Sequence, residues 1–313
     1  MLRVLFVSTG NYSLGISPII KAQGESIKAQ GVEIDYFTIK GKGVKGYLSN
    51  IKPLRSALKN KSYHLIHAHY SLSAIFVSIA CPKVPVIVSL MGSDVKRNFF
   101  YKKLIAFFSY FFWKGVIVKS SLMHKILGLE NALIIPNGVN FNVFKEIDKS
   151  IAKKKVFFND KKHIVFIANP KRYEKNYPLA KKAVDLLRNK NVELNVVYSE
   201  RGIQQKEIPY YISASDVLLL TSLSEGSPNV IKEAMACNCP IVSTDVGDVR
   251  SIIESTEGCY LTSYNPIEVA EKLKLALDFS SRTTGRRDIY YLDSEIIAKE
   301  IVFYYNKILG KTL

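Results

Sequence analysis

Cysteine is scarce in this sequence. Cys81, Cys237, Cys239 and Cys259 are the only four in 313 residues, too few and too unevenly spaced for a disulfide framework or a paired C-x-x-C zinc site. Free thiols, buried in a reducing compartment, are the expectation. Long apolar runs are missing as well. The longest aromatic and apolar stretch, Leu104 to Trp113, is about ten residues where a membrane-spanning helix needs about twenty, so integral insertion is not expected. No secretory signal opens the chain either. Met1-Leu2-Arg3 runs straight into the alternating pattern of Val4 to Ser8, without a charged n-region, an apolar h-region and a small-residue cleavage site, and a cytoplasmic location is expected. There is no acidic D-x-D pair and no His/Cys cluster, so no metal site is expected. The proportions of hydrophobic residues, 48%, and charged residues, 23%, exclude disorder for most of the chain.

Positive charge, by contrast, is abundant. Lys and Arg number 44 against 27 Asp and Glu, a formal net charge of +17. Residues 1–150 hold 20 of the cations against 7 acids and the remainder 24 against 20, so the basic character belongs to the first half. Such a surface attracts nucleic acid, anionic lipid headgroups and phosphorylated small molecules alike. Nucleic acid is the least expected of these, because no recognition-helix, zinc or stacking-platform motif accompanies the charge.

The length predicts two domains of roughly 150 residues each. Short apolar runs bounded by Gly, Pro, Asn or Ser alternate with helical segments, the pattern of parallel α/β layers. Strands are expected at Val4–Ser8, Ile34–Ile39, His64–His69, Pro85–Leu90, Val116–Lys119 and Leu133–Ile135, then at Ile164–Ala168, Leu194–Tyr198, Val217–Leu220, Ile241–Thr244 and Cys259–Leu261. Helices are expected near Tyr177–Arg188, Val230–Ala236 and Pro266–Ala276. The polar, lysine-rich stretch from Asn140 to Asp160 has no clean periodicity and marks the boundary, giving domains over 1–155 and 156–294. In the last segment, 295–313, Ile297, Ile301, Tyr304, Tyr305 and Ile308 share a helical face and predict packing onto the body. Two doubly wound domains bring the carboxyl ends of their strands, and so their ligand loops, to a shared cleft.

One segment points to chemistry. After the strand at Val217–Leu220 the chain reads Ser222-Leu223-Ser224-Glu225-Gly226-Ser227-Pro228-Asn229-Val230-Ile231-Lys232-Glu233, a Gly/Ser/Pro/Asn turn that enters a helix. The N–H groups of Gly226, Ser227, Pro228's neighbours Asn229 and Val230, and the positive end of the helix dipole suit a diphosphate. Glu233 is then placed to accept hydrogen bonds from a ribose, and Glu225 to face whatever the phosphates carry. Solvated helix charges and a plain first-turn proline would leave the same residues without such a role.

This segment resembles the donor-binding signature of the family-4 retaining glycosyltransferases, a glutamate, seven residues and a second glutamate, here Glu225 and Glu233. The continuation Ala234-Met235-Ala236-Cys237-Asn238-Cys239-Pro240-Ile241-Val242 through Gly247 is similar to the family's, as are Ile135-Pro136-Asn137-Gly138-Val139-Asn140, Ile66-His67-Ala68-His69 and Ser89-Leu90-Met91-Gly92-Ser93-Asp94. The resemblance implies the GT-B architecture, two Rossmann-like α/β domains facing across a cleft, with a nucleotide-sugar donor held by the second and a glycan or lipid-linked acceptor by the first. It also implies that the final helix crosses back to the first domain. Where the family carries an Arg that pairs the donor diphosphate with a Lys, this chain has Asn169, with Lys171 and Arg172 close behind and Lys175 in place. Lys175 and Arg172 are therefore the expected cations at the leaving diphosphate. Met91 stands where the family often has His, which makes His69 the candidate for a role near the transferred sugar. Asn11 and Gly15, in the loop after the first strand, are candidates for an acceptor or phosphate loop. The implied reaction is metal-independent and uses no cofactor, since the nucleotide-sugar is a substrate. A β-phosphate oxygen takes the proton of the attacking hydroxyl on the face that the diphosphate leaves, and the pathway expected is cell-surface polysaccharide assembly. A nucleotide-sugar epimerase and a non-catalytic nucleotide-sugar-binding protein are the competing readings.

From Lys96 to Lys114 the chain is dense in aromatics. Phe100, Leu104, Phe107, Phe108 and Phe111 share one helical face, with Lys102 and Lys103 off it, the pattern of a helix in a membrane interface. A helix covering the first sheet would look alike. With the basic first half, the pattern makes an anionic membrane surface an expected partner, on the inner face of the cell membrane.

Overall fold

A computed structural model describes residues 1–10, 15–41, 43–80, 82–95 and 98–311. Among these residues eleven strands form two parallel sheets. The first comprises β1 (Arg3–Thr9), β2 (Glu33–Ile39), β3 (Leu65–His69), β4 (Val86–Ser89), β5 (Gly115–Val118) and β6 (Ala132–Ile134), in the order β2-β1-β3-β4-β5-β6. The second comprises β7 (Lys162–Ile167), β8 (Val192–Val197), β9 (Val217–Leu220), β10 (Ile241–Thr244) and β11 (Cys259–Thr262), in the order β11-β10-β9-β7-β8. Every expected strand is present, with ends shifted by a residue or two. The central strands are mostly apolar because helices cover both faces of a parallel sheet: all four residues of β4, β5, β9 and β10 are buried, the serines and threonine of β4 and β10 included.

The two sheets belong to two compact units, residues 1–138 with 294–313, and residues 139–293. In the first, Leu5, Val7, Ile66, Val88, Val116 and Trp113 are among the core side chains. The helix Ser294–Ile308 buries Ile297, Ala298, Ile301, Tyr304 and Tyr305 and packs against the helix Pro18–Lys28. Tyr305 also meets His67 of β3, its hydroxyl 2.5 Å from Nδ1. In the second unit, Ile164, Phe166, Leu219, Val242 and Leu273 form the core.

The boundary differs from the expected one. The chain leaves the first unit at Gly138, not after 155, because the stretch that lacks periodicity is nonetheless anchored. Phe141 and Phe144 are buried, and Arg286 donates to their carbonyl oxygens at 3.0 and 2.8 Å. Asp148 caps the helix Lys149–Val156 through the N–H groups of Ser150 and Ile151, and that helix lies against Ile208–Ala214. Its single buried residue, Ala152, leaves too little apolar pattern for sequence to betray it. Among the described cysteines, Cys237 and Cys239 are buried and Cys259 is partly so, all three free; Cys81 lies outside the described residues.

Candidate functional site

In an open parallel sheet, ligands bind beyond the carboxyl ends of the strands at the point where the strand order reverses. The second sheet reverses between β7 and β9, and the loops that leave those two strands are fastened together. Thr221 Oγ1 donates to the carbonyls of Lys175 and Asn176 at 3.1 and 3.0 Å, and the Leu223 N–H donates to the Glu174 carbonyl at 2.9 Å. This register sets Lys175 against Glu225. Its Nζ donates to Glu225 Oε1 at 2.5 Å, the two side chains being 15% and 17% exposed, and Ser222 Oγ donates to the same oxygen at 2.8 Å.

The loop after β10 closes on the same backbone. Thr244 Oγ1 donates to the Ser222 carbonyl at 2.7 Å, and Gly247 holds φ at +64° with its Cα so near Gly226 that an added Cβ would sit 2.7 Å from the Gly226 oxygen. Only glycine meets both demands. Pro228 is the N-cap of the helix Asn229–Ala236, and no side chain caps it. Beneath the turn lies a group that sequence reasoning missed. Lys232, 1% exposed, donates to Ser227 Oγ at 2.6 Å, Ser227 donates to Asp248 Oδ2 at 2.7 Å, and the lysine nitrogen is 3.8 Å from that oxygen. Burial lowers the Lys232 pKa, which Asp248 opposes. Burial also raises that of Asp248 against the pull of Lys232 and Ser227. In sequence Lys232, five residues after Ser227, reads as an ordinary solvated helix lysine.

Glu233 follows one turn into the helix and accepts a hydrogen bond from Gln205 Nε2 at 3.1 Å. Burial pushes its carboxyl up to about 7, the Gln205 bond acting in the other direction. Gln205 belongs to the segment after β8, where Arg201 lies over the Tyr198 ring. The structure therefore gathers Lys175, Glu225, the 226–230 turn and Glu233 at the carboxyl edge of one sheet. Arg172 stands apart from the pair, its guanidinium on Glu174 Oε1 and more than half exposed, while Asn169 donates to Glu200 at 3.0 Å.

In the first sheet the order reverses between β1 and β3, and His69 ends β3. Its ring is 1% exposed, stacked on His67 at 4.4 Å and tilted against Phe6 at 4.6 Å, and neither ring nitrogen has a hydrogen-bond partner. Burial, with Lys119 adding to it, holds its pKa down at about 3, so the imidazole is neutral. Tyr70 follows at φ 87°, a strained conformation for a side-chain-bearing residue, fixed by its N–H on the Ser89 carbonyl at 2.9 Å. Asp94 accepts from Ser71 and, at 2.7 Å, from the Met91 N–H. Gly15 takes φ +79°, and Asn11 lies outside the described residues. Among the described residues, no group of three or more His, Cys, Asp or Glu is placed to hold a metal ion.

Two family models match the chain. Residues 198–278 match that of the glycosyl transferases group 1, and residues 14–124 match that described as glycosyl transferase 4-like. Both matches support a group 1, family-4-like glycosyltransferase. The chain is 25% identical over 218 residues to TuaC of Bacillus subtilis (strain 168), a glycosyltransferase named for teichuronic acid biosynthesis, over 60% of the chain and 54% of TuaC. It thus spans little more than half of that relative's length. Among solved structures, a sucrose-phosphate synthase from Thermosynechococcus elongatus superposes with a TM-score of 0.82 at 16% identity, over 99% of this chain and 100% of the other. HepE from Anabaena, in complex with UDP-glucose, gives 0.75 at 16%, over 98% and 100%. The fold is that of the GT-B transferases, two Rossmann-like α/β domains.

Proposed function

We propose that this protein is a retaining, metal-independent glycosyltransferase that moves a sugar from a nucleotide-sugar to a hydroxyl of a glycan or lipid-linked acceptor in cell-surface polysaccharide assembly, working in the cytoplasm at the inner face of the cell membrane. The observation that carries the reading is the Lys175–Glu225 contact at the reversal point of the second sheet, in the loop that opens the Glu233 helix. The HepE structure contains UDP-glucose, which supports a nucleotide-sugar donor, and the name of TuaC supports the polysaccharide pathway.

In this reading the leaving diphosphate lies on the N–H groups of the 226–230 turn with Lys175 beside it, where negative charge grows as the glycosidic bond breaks. Arg172 reaches the outer phosphate oxygens after releasing Glu174. Glu225 accepts from the sugar hydroxyls and Glu233 from the ribose. A phosphate oxygen of the donor takes the acceptor's proton as its oxygen attacks from the leaving-group side, which gives retention without a protein nucleophile. The neutral His69, Gly15 and Asn11 belong to the acceptor side.

The test is transfer itself. The purified enzyme, incubated with a panel of nucleotide-sugars and lipid-linked or glycan acceptors, is expected to release the nucleoside diphosphate and to form a product whose anomeric signal in NMR matches that of the donor. Lys175→Ala is expected to lower kcat by about a hundredfold or more. An inverted product would overturn the retaining assignment, and an isomerised nucleotide-sugar without transfer would point to an epimerase.

A further inference from the structure

The helix Phe99–Phe111 turns its apolar side the wrong way for a helix that only covers a sheet. Ile105 and Ser109 are its buried residues, and Phe108, expected on the same face as Phe100 and Phe107, packs on the core instead. The outward arc, about 140° wide at 100° per residue, carries Phe99, Phe100, Leu104, Phe107, Tyr110 and Phe111, with Lys103 among them and its ammonium 5.1 Å over the Phe99 ring. Phe107 is 50% exposed and Phe100 81%, with Phe99, Tyr110 and Phe111 between them. Their rings touch one another, Phe107 to Phe111 at 5.0 Å and Tyr110 to Phe111 at 4.8 Å. Water is a poor solvent for such a face. The helix is ordered, with Asn98 accepting from the Tyr101 N–H at its start, and at about 20 Å it is too short to cross a bilayer. No helix among the described residues is long and apolar enough to do so.

Charge selects the occupant. Between Asp94 and Glu130 the sequence has no acidic residue and seven Lys and Arg. The unit that carries the helix has 21 Lys and Arg against 7 Asp and Glu, whereas the other has 23 against 20. A second copy docked on this face would bring two surfaces of the same positive sign together. An anionic bilayer accepts the aromatic rings at its headgroup boundary and the lysines at its phosphates. We infer that the exposed face of Phe99–Phe111 is a membrane-docking surface that lies in the plane of an anionic leaflet. This deepens the reading above, since docking brings a lipid-linked acceptor within reach of the enzyme.

Flotation with phosphatidylcholine vesicles, with and without phosphatidylglycerol, tests it on the full chain. The protein is expected to float with the phosphatidylglycerol vesicles and far less with phosphatidylcholine alone. The triple variant Phe100→Ser, Phe107→Ser, Phe111→Ser is expected to lose vesicle partition by about tenfold or more, while keeping its thermal stabilisation by a nucleotide-sugar. Wild-type protein that fails to float, a variant that floats as well as wild type, or a wild-type dimer that the variant converts to monomers would each overturn the proposal. Should the triple variant fail to fold, Phe107→Trp read against the parent with bromine-labelled lipid decides, and an unquenched Trp overturns the inference. Normal docking without nucleotide-sugar binding would overturn the donor reading alone.

Discussion

Glu233 carries the most informative titration in the second unit. Its carboxyl is raised to about 7 by burial, so the neutral form dominates below that pH and the ionised form above it. A ribose hydroxyl bonds more strongly to a carboxylate than to a carboxylic acid. Affinity for a nucleotide-sugar, whose diphosphate has no ionisation in this range, is therefore expected to rise as the pH goes from about 6 to about 8, and Glu233→Gln is expected to flatten the rise in a calorimetric titration. An equal pH dependence in the variant would assign it to another group. Lys232 gives a second prediction at this scale. Removing the cation strands Asp248, whose Oδ1 is already buried without a hydrogen bond, so Lys232→Met is expected to destabilise the second unit by about 3 kcal/mol in urea unfolding. The double variant with Asp248→Asn is expected to regain part of that loss. Equal stability of the two variants would mean that the pair is uncoupled.

Among elements, the decisive ones are the turns after β7, β9 and β10, which hold one another by backbone and hydroxyl bonds. Gly247 is the tightest point. Gly247→Ala needs a Cβ where the Gly226 carbonyl lies, and displacing that turn by a fraction of an ångström is expected to weaken nucleotide-sugar binding by roughly tenfold or more, while alanine held at a positive φ lowers Tm by a few degrees. Retained affinity would show that the turn adapts. The strands were legible in sequence because a doubly covered parallel sheet writes itself as short apolar runs, and the Glu225–Glu233 helix because Gly-Ser-Pro-Asn announces its start. What stayed hidden depends on chain meeting chain. Gln205 beside Glu233, Asp248 beside Ser227, and Arg286 on the carbonyls of Phe141 and Phe144 all join residues far apart in sequence. The side on which Phe108 falls follows from where the sheet sits, which periodicity does not record.

At the scale of the whole molecule, the chain leaves its first unit at Gly138 and returns at Ser294, and the ends of the second unit meet, Val139 donating to the Leu292 carbonyl at 2.9 Å. All the residues assigned to the donor lie in that second unit, while the excess positive charge and the aromatic helix lie in the first. Two partners of different chemistry are thus assigned to separate bodies of one chain, a nucleotide-sugar to one and an anionic acceptor surface to the other. The claim on which the rest depends is the donor site, and calorimetric titration of UDP-, GDP-, ADP- and CDP-sugars into the protein and its Lys175→Ala variant tests it most directly. One nucleotide-sugar is expected to bind the wild type and to bind the variant at least about tenfold more weakly. Binding of none of them, or equal binding to both proteins, would contradict the account.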